Sequence, residues 1–428
     1  MKKALAILLT GLTLTGMLSV GASAAQSYAT TPMLALGGRG GTGFTLALRD
    51  DGTVWGWGSN WFGQLGDGTD NNYRFAPAQV PGLSNIRAVA AGGGHSVALR
   101  NDGSVWTWGQ SYYGELGYGG TRTNTTKPGW VMSNVKAIAA GSYHTVALRS
   151  DGTVWTWGNN MYGQLGNSDY SARTQPSRVG YLVDVIAITA ATNYTAALRG
   201  DGTVWAWGIN HEGQLGDGTL QSQRTRPVQV VAPSGEAGYL TGIVAIAACD
   251  EAMYALRGDG TVWKWGGSSS TAIRPRPIEE FSGIAPVAIA SGRKHIAILC
   301  SEGYVWTLGY NDNGQLGYVK VKAPYEQAGY LSNIASVAAG SNHTGAVDND
   351  GAVWMWGRNG DGELGDGART DRYTPVQAVG ENGAGFFSLG NPATRQPPFS
   401  KTIFSTKYES TFGNWLLFLL FGFIWMWF

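Results

Sequence analysis

Ser150-Asp151-Gly152-Thr153-Val154-Trp155-Thr156-Trp157-Gly158 is the stretch on which the fold turns. Asp-Gly tolerates the positive φ that a tight two-residue hairpin needs, so Asp151-Gly152 reads as a turn between two strands. The residues that follow alternate, with Val154 and Thr156 on one face and Thr153, Trp155 and Trp157 on the other. Upstream, 135–140 is a short apolar run, Gly141-Ser142-Tyr143-His144 is a turn, and 145–149 is a second β-rich run. Downstream, Gly163-Gln164-Leu165-Gly166 closes a loop and 176–179 supplies an edge strand. Four strands therefore fit into about 50 residues, with no stretch that reads as a helix of 10.

The same unit recurs. Asp-Gly-x-Val-Trp-x-Trp-Gly, or a close variant, stands at 51–58, 102–109, 151–158, 201–208, 259–266, 302–309 and 350–357, and Leu308 replaces the second Trp in the sixth copy. Successive starts lie 51, 49, 50, 58, 43 and 48 residues apart. Thirteen of the 18 Trp fall inside these motifs, which makes them architecture before function. Seven four-stranded units predict an all-β fold, a seven-bladed β-propeller with four-stranded antiparallel blades. A linear solenoid would need atypical capping units, and the terminal units here match the middle ones.

Gly-x-x-His-x-x-Ala-Leu, Asp-Gly-x-Val-Trp-x-Trp-Gly, Asn-x-x-Gly-Gln-Leu-Gly and Pro-x-x-Val recur in that order over roughly 34–379. Together they resemble the regulator-of-chromosome-condensation repeat. The turn His is present at His95, His144, His295 and His343, whereas Phe44, Tyr194 and Ala252 stand there in blades one, four and five. Blade five also runs from Gly266 into Ser268-Ser269-Ser270 without a Gly-Gln-Leu-Gly segment, so it should be the least regular. The resemblance implies a ring and a scaffold. Nucleotide exchange on a nuclear GTPase, which the family name suggests, is not expected, because the repeat residues are scaffold and scaffold does not transmit activity. Exported bacterial propellers of the same repeat class, including inhibitors that bind secreted β-lactamases through loops on one face, are the nearer comparison.

The ends differ from the repeats. Met1-Lys2-Lys3, the apolar run 4–20 and Ala22-Ser23-Ala24 read as a secretory signal peptide over 1–24, followed by a linker at 25–32. Export places the chain outside the cytoplasm, secreted or in the cell envelope. The propeller is expected over 33–380 and a non-repeat tail over 381–428. From Trp415 to Phe428 the tail is wholly apolar or Gly, and its 14 residues are short of a membrane span of about 20. A membrane anchor, an aggregation-prone tail and a truncated or frame-shifted reading frame all fit it.

Composition narrows the chemistry. Gly is 65 of 428, about twice the usual 7%, as many tight turns require. The formal net charge is +1 with no basic run, so no nucleic-acid partner is expected. Cys249 and Cys300 read as small buried hydrophobes, with a single bridge as the alternative. The four repeat His lie on separate blades and are expected to bond a neighbouring turn's backbone rather than a metal. Gly38-Arg39-Gly40-Gly41-Thr42-Gly43 lacks any βαβ context and reads as a turn. No nucleophile elbow or catalytic pair stands out, so neither catalytic residues nor cofactors are assigned.

One asymmetry breaks the repeat. The two residues before Gly-(Gln/Glu)-Leu-Gly are Trp61-Phe62, Tyr112-Tyr113 and Met161-Tyr162 in blades one to three, but His211-Glu212, Asp312-Asn313 and Gly360-Asp361 in blades four, six and seven. Core packing would repeat round the ring, and this pattern does not. Aromatics and Met are enriched in binding patches, so Trp61, Phe62, Tyr112, Tyr113, Met161 and Tyr162 are the candidate partner-binding residues, with local loop cover as the alternative. Asp312 and Asp361 are expected to be replaceable at little cost. The expected function is a monomeric, non-enzymatic exported scaffold for a protein or cell-envelope ligand, inhibitor-like in its narrowest form. A secreted enzyme acting on glycans or peptides is the alternative.

Overall fold

The computed structural model describes residues 30–121, 123–220, 223–267, 273–317 and 331–390. Those residues form seven antiparallel sheets arranged as the blades of a propeller. In blade one the strands are β1 (Met33–Arg39), β2 (Thr42–Leu48), β3 (Val54–Ser59) and β4 (Tyr73–Gln79), hydrogen-bonded in sequence order. The first strand of each blade is innermost and packs against the first strands of its two neighbours, the first blade against the last included. Six sheets have four strands; blade six shows three among the described residues, and 318–330 lies outside them. Blade five is the irregular one expected, its outer strand reduced to Arg276–Pro277.

The hairpin motif explains its own residues. Asp151 Oδ1 accepts from the Thr153 N–H at 3.0 Å and the Thr153 hydroxyl at 2.6 Å, and that hydroxyl accepts from Trp155 Nε1 at 3.1 Å. Gly152 has φ +79°, which a Cβ would strain. The same Asp, hydroxyl and indole relay recurs at Asp51, Asp102, Asp201 and Asp259. The Trp of this relay is half-buried or nearly buried, while the second Trp of the motif, such as Trp57, Trp108, Trp157 and Trp207, is wholly buried between blades. Cys249 and Cys300 are free and buried.

The packed ring continues past Gly380, where the tail was expected to begin. Phe387 and Leu389 are buried, and Phe387 sits 5.4 Å from the Trp55 ring and 5.6 Å from Trp57. At ordinary junctions the chain entering a blade offers a carbonyl to that blade's own hairpin, as Asn85 O accepts from Asn101 N–H at 2.9 Å. Leu389 O accepts in the same way from Asp50 N–H of blade one at 2.9 Å, while Leu389 N–H donates to Gly351 O at 2.9 Å. Residues 386–390 thus imitate the start of an eighth blade and seat the last blade on the first. The apolar segment 415–428 and the expected signal peptide lie outside the described residues.

Candidate functional site

Between neighbouring blades one backbone carbonyl collects the repeat residues. The Gln164 carbonyl of blade three accepts from Trp207 Nε1 at 2.9 Å and from the Thr195 hydroxyl at 2.8 Å, both of blade four. His144 Nε2 meets the same hydroxyl at 2.9 Å. The hydroxyl's one hydrogen goes to the carbonyl, so the ring must donate and is the neutral Nε2–H form. The repeat His therefore bond a threonine hydroxyl across the seam, not turn backbone as expected; His95 meets Thr145, His295 meets Thr344 and His343 meets Thr45. Burial drives His95, His144 and His343 down to about 3 and His295 to about 4, so they stay uncharged at ordinary pH. Gly141 leaves room for this ring, because a Cβ there would lie 2.2 Å from His144 Cε1.

The two irregularities of the sequence belong to one seam. Blade five has no Gly-Gln-Leu-Gly carbonyl to offer, and blade six has Leu308 and Ile296 where the other blades have a donating Trp and, in all but blade five with its Met253, a Thr or Ser hydroxyl. Ala252 holds the His position at this seam, opposite a blade that offers no hydroxyl there.

The turns between first and second strands and the Gly-(Gln/Glu)-Leu-Gly loops lie on the same face. A closed circuit of hydrogen bonds runs round the turns: Gly38 N–H to Gly92 O at 3.0 Å, Gly93 N–H to Ser142 O at 3.1 Å, and Ser142 Oγ to Thr192 Oγ1 at 3.0 Å. It continues from the Thr192 hydroxyl to the Asp250 carboxylate, Asp250 N–H to Arg293 O at 2.9 Å, Arg293 N–H to Gly340 O at 3.1 Å, and Ser341 Oγ back to Gly38 O at 2.7 Å. Each loop is buckled internally, as when Asn160 Oδ1 accepts from Leu165 N–H at 2.9 Å and Gln164 Oε1 from Tyr162 N–H at 3.0 Å. The face is a preorganised platform, the kind of support a recognition loop needs.

The structure places the six candidates at equivalent positions on this platform. The first member of each pair projects: Trp61 is 47% exposed, Tyr112 49% and Met161 60%. The second members, Phe62, Tyr113 and Tyr162, are half-buried. Trp61 packs edge-on to Tyr73 at 5.6 Å, and Arg369 of blade seven lies 4.9 Å from the Tyr73 ring. Tyr112 and Tyr113 meet at 4.8 Å, and Tyr113 meets Tyr143 of blade three at 5.2 Å. The aromatic arc is thus two contact groups, one at the seam of blades seven and one, the other at the seam of blades two and three. Sequence reading missed Tyr73, Tyr143, Arg39 and Arg369; Tyr143 was legible as the residue before the repeat His, where blade two has Gly94.

Asp361 is not the solvated control that the sequence suggested. It is buried, accepts from Gly43 N–H at 3.1 Å and pairs with Arg358 Nη1 at 3.1 Å. Arg358 Nη1 also reaches Glu363 Oε1 at 2.6 Å. Glu115, the counterpart of Glu363 in blade two, is fully buried, and its Oε1 has no partner. Burial raises both carboxyls to about 7, against the pull of loop backbone N–H groups in Glu115 and chiefly of Arg358 in Glu363. The folded state holds the Glu115 proton more tightly than the unfolded one, so its contribution is full below about 4.5 and is lost as pH rises through about 7. Glu115→Gln, which installs the side chain found at Gln64, Gln164, Gln214 and Gln315, is expected to stabilise the fold by about 2 kcal/mol at pH 8 and by little at pH 4.5. Urea unfolding at the two pH values measures this; equal gains at both would show that the carboxyl is not held back by burial.

A closed ring of seven blades, stitched by an indole and a hydroxyl on one carbonyl, defines a repeat propeller that presents loops from one face. The chain matches the RCC1-like domain over residues 37–266, and the regulator of chromosome condensation (RCC1) repeat over 287–315, 334–363, 302–347 and 350–388. It belongs to the RCC1-like domain family. Among curated relatives, RCC1 domain-containing protein RUG3, mitochondrial, of Arabidopsis thaliana is 43% identical over 76 residues, 17% of each chain. Protein RCC2 of Homo sapiens is 37% identical over 90 residues, 21% of this chain and 17% of the relative. The matched stretches thus span only about a fifth of those relatives. The fold is similar to human WBSCR16, with TM-score 0.65 and 23% identity over 76% of this chain and 94% of that one. It is also similar to the structure of Kap60 bound to yeast RCC1 (Prp20), with TM-score 0.66 and 22% identity over 88% and 92%.

Proposed function

We propose that this protein is a non-enzymatic binding scaffold that docks a protein or cell-envelope partner on the turn-and-loop face of blades one to three. The observation that carries this is the projection of Trp61, Tyr112 and Met161 from three successive, internally braced loops. Exposed aromatics on rigid loops give contact area at low entropy cost. Yeast RCC1 (Prp20), whose fold is similar, is described bound to Kap60 and with binding properties to Gsp1p and histones, so protein partners are known for a protein of this fold. The enzyme reading gains nothing from the acidic clusters on the face, since Arg358 holds Asp361 and Glu363, Arg293 holds Asp250 and Lys294 holds Glu251.

The test is capture of partners from extracellular fluid by the immobilised chain, followed by affinity measurement with variants. Trp61→Ala and Tyr112→Ala are each expected to cost about 2 kcal/mol in binding, roughly 30-fold, while Asp312→Ala costs little. Equal losses from Asp312→Ala, or none from the aromatics, would overturn the docking face.

Action outside the cytoplasm is part of the proposal, supported by the charged, apolar and small-residue order of 1–24. Mass spectrometry of the exported chain is expected to show cleavage after Ala24. Retention of Met1 on a chain confined to the cytoplasm would sink this part of the reading.

A further inference from the structure

Tyr112, Tyr113 and Tyr143 form a continuous edge-to-face group, with ring centroids 4.8 Å and 5.2 Å apart. Glu115 is anchored directly into the loop that carries this group, its Oε2 accepting from Tyr113 N–H at 2.6 Å while Oε1 is buried with no partner. Aromatic faces beside a carboxylate are the composition that holds an organic cation. Two internal comparisons give the ligand's chemistry. In blade seven the equivalent Glu363 is satisfied by a guanidinium, Arg358, and in blade two the residue at the Arg358 position is Gln110. A guanidinium already rests on the blade-two group: Arg39, from the exposed tip of the first hairpin of blade one, lies 4.4 Å from the Tyr143 ring centroid. The turn between them is Gly92-Gly93-Gly94, without side chains to obstruct the reach. Arg39 stacks there without hydrogen-bonding Glu115 Oε1, so loop N–H groups hold the carboxyl from one side and Oε1 alone has no partner.

We propose that Tyr112, Tyr113, Tyr143 and Glu115 form a cage for an arginine side chain of the partner, and that Arg39 is a resident plug displaced when that arginine enters. This rests on the docking face proposed above and names the chemistry of what docks there. It also accounts for a Glu where four other loops carry Gln: burial penalises the carboxylate in the free protein, and the guanidinium neutralises it in the complex.

The test uses the full chain with ζ-carbon-labelled tyrosine and N-acetylarginine amide as probe, N-acetylcitrulline amide serving as its uncharged counterpart. Arg39→Ala should bind the arginine amide saturably, with shifts at Tyr112, Tyr113 and Tyr143, at least fivefold more tightly than the unaltered chain. Adding Glu115→Gln should weaken that binding at least fivefold without lowering the urea midpoint. The citrulline amide should give no saturable shift. Equal response to both amides, no gain from Arg39→Ala, or no loss from Glu115→Gln overturns the cage. The small probe needs no partner, so these outcomes are separate from those of the capture experiment, which can fail on Trp61 while the cage binds its cation.

Discussion

A chain ending at Gly380 is expected to be less stable than one ending at Gly390 by on the order of 5 kcal/mol, or to fail to close. The first truncation removes Phe387 and Leu389, which are 5% and 0% exposed and pack with Trp55, Trp57 and Val353 in one cluster. Removing a buried Phe or Leu side chain costs about 2–5 kcal/mol each. It also strands the Asp50 N–H and the Gly351 carbonyl, which Leu389 serves. A ring differs from a solenoid here, because its first and last blades are each other's neighbours, and a defect at that seam exposes both. Phe387→Ala alone should cost about 3–5 kcal/mol. Urea midpoints for the two truncations and the point variant measure this, and coincident midpoints for chains ending at Gly380 and Gly390 would show that 386–390 does not close the ring.

That closing segment also shows where sequence reading stops. The ring was legible because Asp-Gly, the hydroxyl two residues after the Asp and the paired Trp serve the same local relay in blade after blade, and local repetition is what a sequence displays. Residues 386–390 act once, joining blade seven to blade one more than 300 residues away, and carry no copy of the motif. The His were visible as a column but their role was not. The hydroxyls they meet, such as Thr195 for His144, stand one blade further on, and only the ring brings the pair together. The losses at Leu308 and Ala252 were likewise visible as separate departures, and the missing carbonyl of blade five joins them with Ile296 at one seam. At the candidate face, the six aromatic and Met positions could be read from broken periodicity, since their loops are equivalent. The groupings Trp61 with Tyr73 and Tyr113 with Tyr143 could not, because they depend on which neighbouring element each ring meets. Asp361 misled because its polarity suggested solvent, and Arg358 and Gly43 N–H had no signal linking them to it.

The seam between blades three and four should respond to mutation as one unit. Trp207 is wholly buried, so Trp207→Ala is expected to cost about 3–5 kcal/mol through the cavity alone. Trp207→Phe keeps most of the volume but loses the indole N–H, and the Gln164 carbonyl then keeps only the Thr195 hydroxyl. Thr195→Val removes that hydroxyl instead, leaving the carbonyl to Trp207 and the His144 Nε2–H without an acceptor. Each single change should cost about 1–3 kcal/mol, as a buried hydrogen bond lost on one side does. Neither single change orphans the carbonyl. The double variant does, so its cost should exceed the sum of the singles by about 1–2 kcal/mol. Urea unfolding of the four chains closes the cycle. Additivity within about 0.5 kcal/mol would mean that Trp207 and Thr195 stabilise the seam by packing independently, and that the shared carbonyl is not what joins the blades.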